Sequence, residues 1–132
     1  MSYEGQNFSF HQGDDHRETF PMLDLVGALF QMTGFSGTQL IWRAWDPADV
    51  DDDNQPTSYV LEYDLTDTLN LSIVDWLAGD GSVDDAVQLD IPRAESALPA
   101  MCYHHETVMT DATDRRKTTN TGEMTVLSSF KA

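Results

Sequence analysis

Alternation of apolar and polar positions runs through most of the chain. It is clearest from Thr38 to Asp46, T-Q-L-I-W-R-A-W-D. Leu40, Trp42 and Ala44 fall on one side of a pleated strand, and Ile41, Arg43 and Trp45 on the other. Both sides carry bulky groups. This predicts a central strand with one face in the core and the other partly covered. The same period places strands at Tyr3–Phe10, with Phe8 and Phe10 sharing a face, and at Arg17–Leu23. Pro21 cannot donate to a ladder, so that second strand belongs at an edge or carries a bulge. Further strands follow at Ser58–Leu65, Asp67–Trp76 (Leu69, Leu71 and Ile73 at period 2) and Ala86–Ile91. Three more close the series, at Met101–Thr110, Arg115–Asn120 and Gly122–Leu127.

The connections are short and rich in turn residues. Gln12-Gly13-Asp14-Asp15, Ala78–Ser82 and Asp111–Asp114 read as turns. The Pro47–Thr57 stretch, crowded with Asp, Asn and Pro, reads as an exposed, mobile loop. Asp24–Gly37 fits either a short helix, with Leu25, Leu29 and Met32 at helical spacing, or a hairpin turning at Gly27. Its glycines and its flanking strands favour the hairpin. Arg93–Pro99 fits one helical turn or a compact loop. Seven to nine short strands with no long amphipathic helix point to an all-β protein, an antiparallel β-sandwich of immunoglobulin-like architecture. The Cys–Trp–Cys signature of antibody domains is absent. Residues 1–127 are expected to form one domain and residues 128–132 a flexible tail.

Charge is the strongest global signal. Seven basic residues face 23 acidic ones, a formal net charge of −16. Aspartate outnumbers glutamate by roughly three to one, and Lys117 and Lys131 are the only lysines. Such a surface repels phosphate backbones, so nucleic acid is not an expected partner. It also repels itself, and salt would screen that repulsion. A salt-rich source is one reading of this balance; an ordinary acidic protein is the other. No apolar run approaches membrane-spanning length, and the first residues lack the pattern of a signal peptide. The single cysteine, Cys102, excludes an intrachain disulfide.

Several stretches in order resemble one family. Asn7–Asp15, N-F-S-F-H-Q-G-D-D, is similar to the aromatic strand and Q-G-D turn that open the immunoglobulin-like N-terminal domain of phage baseplate upper proteins and related tail proteins. Met32-Thr33-Gly34 stands for that family's L-T-G turn, and Gln39–Trp45 for the strand after it. Val87–Pro92, Glu95–Pro99 and Met101–Glu106 match its proline-ended strand, its A-A-L-P segment and its tyrosine-rich strand. Gly122–Val126 resembles its closing G-x-F-T-V strand. The likeness runs from about residue 7 to residue 127. The segment after Asp24 is more apolar than the family's, and Trp76–Asp85 resembles an insertion. The resemblance implies a virion structural protein of a tailed virus, a phage or, with the acidic charge balance read as salt-loving, a halophilic archaeal virus. Such a protein is assembled in the host cytoplasm, in several copies, at the tail, baseplate or head–tail region. The implied partners are other virion subunits and further copies of itself. A capsid decoration or turret protein is the alternative within the virion.

The candidate chemistry is sparse. Cys102, His104 and His105 form C-x-H-H, but a strand puts Cys102 and His104 on one face and His105 on the other. Structural zinc wants four convergent ligands. A Cys–His nucleophile would also need an orienting group and an oxyanion site. Asp49, Asp51 and Asp53, and separately Asp80, Asp84 and Asp85, offer oxygens for calcium without the EF-hand spacing. Solvated acidic loops are the simpler reading. Trp42, Trp45 and Trp76 suit either core packing or sugar stacking, which keeps a carbohydrate- or receptor-binding module as an alternative. No catalytic, cofactor-binding or metal-binding residue is assigned, and no enzyme activity is expected.

Overall fold

The computed structural model describes residues 6–22, 31–76, 84–110 and 113–129. Expectations for Tyr3, for the 24–37 segment as far as Phe30, for Ala78–Ser82 including Asp80, and for the last three residues lie outside these. Eight strands form among the described residues: β1 (Phe8–His11), β2 (His16–Pro21), β3 (Leu40–Trp45), β4 (Leu61–Asp64), β5 (Leu71–Val74), β6 (Ala86–Ile91), β7 (Cys102–Thr110) and β8 (Arg116–Leu127). A four-residue helix, α1 (Arg93–Ser96), takes up one of the two readings offered for that segment. The strands make a five-stranded sheet, β1-β8-β7-β3-β4, and a three-stranded sheet, β2-β6-β5.

The expected central strand is there, three residues shorter, ending at Trp45 rather than Asp46. Thr38 and Gln39 belong to a 3-10 turn spanning Gly37–Gln39. Gln39 Oε1 accepts from the Ser36 backbone N–H at 3.0 Å. Gly37, at φ 57°, takes the left-handed conformation that a side chain would strain. From Leu40 onward β3 pairs with β7 on one side and β4 on the other. Leu40, Trp42 and Ala44 are fully buried, while Ile41, Arg43 and Trp45 are half-buried. Alternation in β1 likewise buries Phe8 and Phe10 and exposes Ser9 and His11. Pro21 closes β2, an edge strand of the smaller sheet, where its missing N–H leaves no ladder position unfilled.

Three expectations are corrected. The sandwich is not wholly antiparallel: β1 runs parallel to β8, with Phe8 opposite Met124 and Phe10 opposite Val126. The two closing strands are one, twelve residues long. Its irregularity is a bulge. Thr107 pairs with Asn120 and Val108 with Thr118, so Thr119 is the extra residue. The Asp67–Trp76 strand begins only at Leu71. Asp67 folds residues 67–71 into a turn, its carbonyl accepting from Asn70 N at 2.8 Å and Leu71 N at 3.0 Å. Leu69 is thereby turned outward and is 87% exposed.

One apolar cluster joins the inner faces of both sheets: Phe8, Trp42, Tyr63, Tyr103 and Met124 from the larger, Phe20, Leu71 and Leu89 from the smaller. Two packed sheets sharing one core is the sandwich arrangement in its general form.

Candidate functional site

Strand β7 sorts the C-x-H-H residues as its pleat dictates. Cys102 and His104 are exposed, whereas His105 is 1% exposed and faces the core. The three do not converge. Among the described residues no group of three or more His, Cys, Asp or Glu side chains is placed to hold a metal.

His105 is instead the polar centre of the core. The Trp42 indole N–H donates to its Nδ1 at 3.1 Å, and its Nε2 lies 2.5 Å from the Gln6 carbonyl. The indole can only donate and the carbonyl can only accept. The ring is therefore the neutral tautomer with the proton on Nε2. Phe20 stacks on it at 5.4 Å between centroids, and Phe8 lies tilted at 5.1 Å. Burial lowers its pKa to about 4, against the opposing pull of the Gln6 hydrogen bond. Gly122, opposite His105, makes this possible. A Cβ there would lie 2.6 Å from the Gln6 carbonyl carbon and 2.8 Å from His105 Nε2.

Tyr103, two residues before His105, donates from its hydroxyl to the Pro99 carbonyl at 2.7 Å. Tyr63 stacks on Trp42 at 5.9 Å and donates to Glu95 Oε1 at 2.8 Å. Burial first, and then Glu95, raise the Tyr63 pKa far above the usual phenol range. These contacts tie α1 and the segment before β7 to the core.

The outer face of the five-stranded sheet carries the candidate functional surface. Arg43 donates from Nε to Glu106 at 2.8 Å and reaches Glu62 at 3.9 Å. Its guanidinium carbon sits 4.7 Å from the centre of the Tyr59 ring. Trp45 meets Tyr59 edge-on at 6.2 Å and His104 at 5.9 Å. Trp45 and Tyr59 are half-buried and His104 is exposed. Arginine and large aromatics held in place beside open strand edges are the side chains that anchor protein–protein contacts. Among the described residues, the edge strands β4 and β5 pair on one side only.

The acidic loops are structured by their own carboxylates. Asp51 Oδ1 accepts from the backbone N–H of Asp53 and of Gln55, each at 2.9 Å. Val50 bridges Pro56, and Thr57 N donates to the Asp49 carbonyl at 2.9 Å. The 47–57 stretch is exposed as expected, yet tied into a small hairpin rather than left free. Asp84 accepts from the Thr33 hydroxyl at 3.0 Å. Asp85 is fully buried and accepts from Trp76 N at 2.8 Å.

A cleft of about 690 Å³ lies beside β2, β5 and β6, lined by Asp15, His16, Arg17, Leu69, Asn70 and Asp90 among others. Two of these side chains already have partners: Arg17 pairs with Asp90 at 2.7 Å, and the His16 ring is hydrogen-bonded to Glu18 at 3.0 Å. Of the tryptophans, Trp42 is sealed in the core, and Trp76 is 39% exposed. The Gln6–His105–Trp42 chain leaves no mark in the residue pattern, because one link is a backbone carbonyl. The position of His105 opposite Cys102 and His104 was its one legible part. The sequence matches no protein-family model and no curated protein.

Proposed function

We propose that this chain is a virion structural protein of a tailed virus. It is an immunoglobulin-like module that assembles in several copies at the tail, baseplate or head–tail region and makes protein contacts rather than transforming a substrate. The immunoglobulin-like part is supported by strand order. With β2, β6 and β5 taken as strands B, E and D, the larger sheet reads C′, C, F and G from β4 to β8. β1 is the first strand, moved across to pair in parallel with G.

The observation that carries this reading is the set of residues at three landmark positions. Trp42 occupies the strand-C tryptophan position. Phe20 on B and His105 on F face each other, stacked ring to ring, where antibody domains place their disulfide. Tyr103, two residues before His105, returns a hydrogen bond to the chain just upstream, as the tyrosine corner of such domains does. An aromatic pair and a Trp–His hydrogen bond thus stand in for the covalent link, which suits a protein folded inside a cell.

The virion part rests on the ordered motifs from Asn7 to Val126 and on the surface. Open edges at β4 and β5 are natural docking rails, and the Arg43–Tyr59–Trp45 patch adds anchors. The acidic remainder faces solvent or a basic partner. The carbohydrate-binding alternative loses Trp42, whose ring is closed to solvent.

The test is quantitative mass spectrometry on purified particles from cells carrying the gene. A fixed, small copy number per particle is expected. Hundreds of copies would move the protein to the capsid as a decoration, and absence from the particles would end the virion reading.

A further inference from the structure

We propose that His105 is a pH-operated latch on the N-terminal strand: a second proton on its ring raises the population in which residues 6–11 lift from the edge of β8. The geometry leaves that proton one place to go. Nε2 already carries a hydrogen toward the Gln6 carbonyl, so the newcomer binds Nδ1, the atom that accepts from Trp42. Two N–H groups then point at each other, and a cation sits enclosed by Phe8, Phe20 and Trp42. Ring faces recover part of the lost hydration, but a buried imidazolium still needs water.

Water reaches the ring most cheaply from the β1 side. Of the other neighbours, Trp42 lies on β3, which pairs on both sides, and Phe20 on β2, an edge strand held to β6 over six residue pairs where β1 has four. β1 is short, lies at the sheet edge and, among the described residues, pairs on one side only. Its approach over His105 depends on the bare Gly122, the β8 residue opposite the ring, which has no side chain to take the place of Gln6 once it leaves. Holding β1 down are Gln6 N to the Thr121 carbonyl at 3.0 Å, Gln12 N to the Leu127 carbonyl at 2.9 Å, and the buried Phe8 and Phe10.

The other charged groups around the ring are few. His104 is adjacent on β7 but faces outward, opposite Glu123 of β8. From β2, His16 stacks on Phe8 and Phe10 and pairs with Glu18. His11 ends β1 and contacts the Ser128 carbonyl. Arg43 and Glu106 lie on the outer face. Gln6, Phe8, Phe20 and Trp42, which touch the ring, do not titrate.

An imidazole that titrates near 6.5 when open and near 4 when closed makes the opening equilibrium about twentyfold larger at pH 5 than at pH 7. Hydrogen exchange of the amides in residues 6–12, corrected for the intrinsic pH dependence, reads this directly. His105→Gln is the key variant: its amide can accept from Trp42 and donate to Gln6 but cannot titrate. In the unaltered protein, protection of residues 6–11 should fall about twentyfold between pH 7 and pH 5, and at both pH values it should stay below that of β3 and β7 and change little with dilute urea, as local opening does. His105→Gln should abolish the fall, and His16→Gln should leave it in place. Should His105→Gln fail to fold, NMR titration of the His105 ring in the unaltered protein replaces it, with exchange at residues 6–11 expected to follow the ring's own midpoint. The proposal is overturned by an unchanged β1, by exchange at residues 6–11 that follows β3 and β7 in its dependence on urea, by a fall that survives His105→Gln, or by exchange that ignores the ring's titration.

Discussion

The Tyr103 hydroxyl donates to the Pro99 carbonyl at 2.7 Å, fastening the start of β7 to the chain four residues upstream. Tyr103 is 1% exposed, and its hydroxyl end reaches the exposed Pro99 at the margin of the core. Tyr103→Phe keeps the ring in the core and leaves the Pro99 carbonyl without this donor. A stability loss of about 1–2 kcal/mol is expected in urea unfolding, with the slope unchanged. No loss would show that the corner contributes nothing to holding β7.

The Gly122 position is predicted to tolerate nothing larger. Gly122→Ala drives a methyl group against the Gln6 backbone and His105 Nε2. We expect a loss of about 1–3 kcal/mol, with hydrogen exchange rising first in residues 6–11. Loss spread evenly over both sheets would mean that Gly122 serves the core and not the seating of β1.

How far these features were legible in the sequence depends on what kind of signal they leave. β3 and β6 were readable because their alternation is strong and both end at clear breakers, Asp46 and Pro92. The single long β8 was not. Thr121-Gly122 looks like a strand break, yet the glycine is there because the Gln6 backbone needs its space. Leu69 kept the period of the following strand while sitting in a turn set by Asp67, and period alone cannot see a turn carbonyl. Parallel pairing of β1 with β8 joins residues more than a hundred positions apart and leaves no local trace. The surface patch was half legible: Arg43 and Trp45 were placed on the outer face, but Tyr59, Glu62 and His104 join them only through strand register.

Arg43 and Glu106 form the most enclosed ion pair among the described residues, 17% and 16% exposed. Removing the cation alone strands a carboxylate on a partly covered sheet face. Arg43→Ala should destabilise by about 1–3 kcal/mol, and the double variant Arg43→Met with Glu106→Leu by less than the single one. Additive losses in that cycle would mean the two side chains do not act as a pair.

Overall stability should depend on pH through His105. Its folded pKa, about 4, lies below the unfolded value near 6.5. Between these values the unfolded chain binds more protons, so the contribution is whole above about pH 6.5 and falls away as pH drops toward 4. From pH 7 to pH 5 this removes about 2 kcal/mol. Carboxylate protonation relieves self-repulsion in the opposite direction, so the readout is the difference between the unaltered protein and His105→Gln. A difference that stays constant with pH would contradict the lowered pKa.

A net charge of −16 predicts a melting temperature that climbs with KCl, as the Debye length shrinks from about 10 Å at 0.1 M to about 3 Å at 1 M. A flat or falling series would remove the salt-rich source.

Self-assembly is tested most directly by sedimentation velocity of the purified chain in about 1 M KCl, where distant repulsion is screened, over a wide concentration range. The structure's open edges and outer-face anchors predict a discrete species of several copies, weakened by Trp45→Ala. A monomer at every concentration, with Trp45→Ala indistinguishable from the unaltered chain, would contradict it.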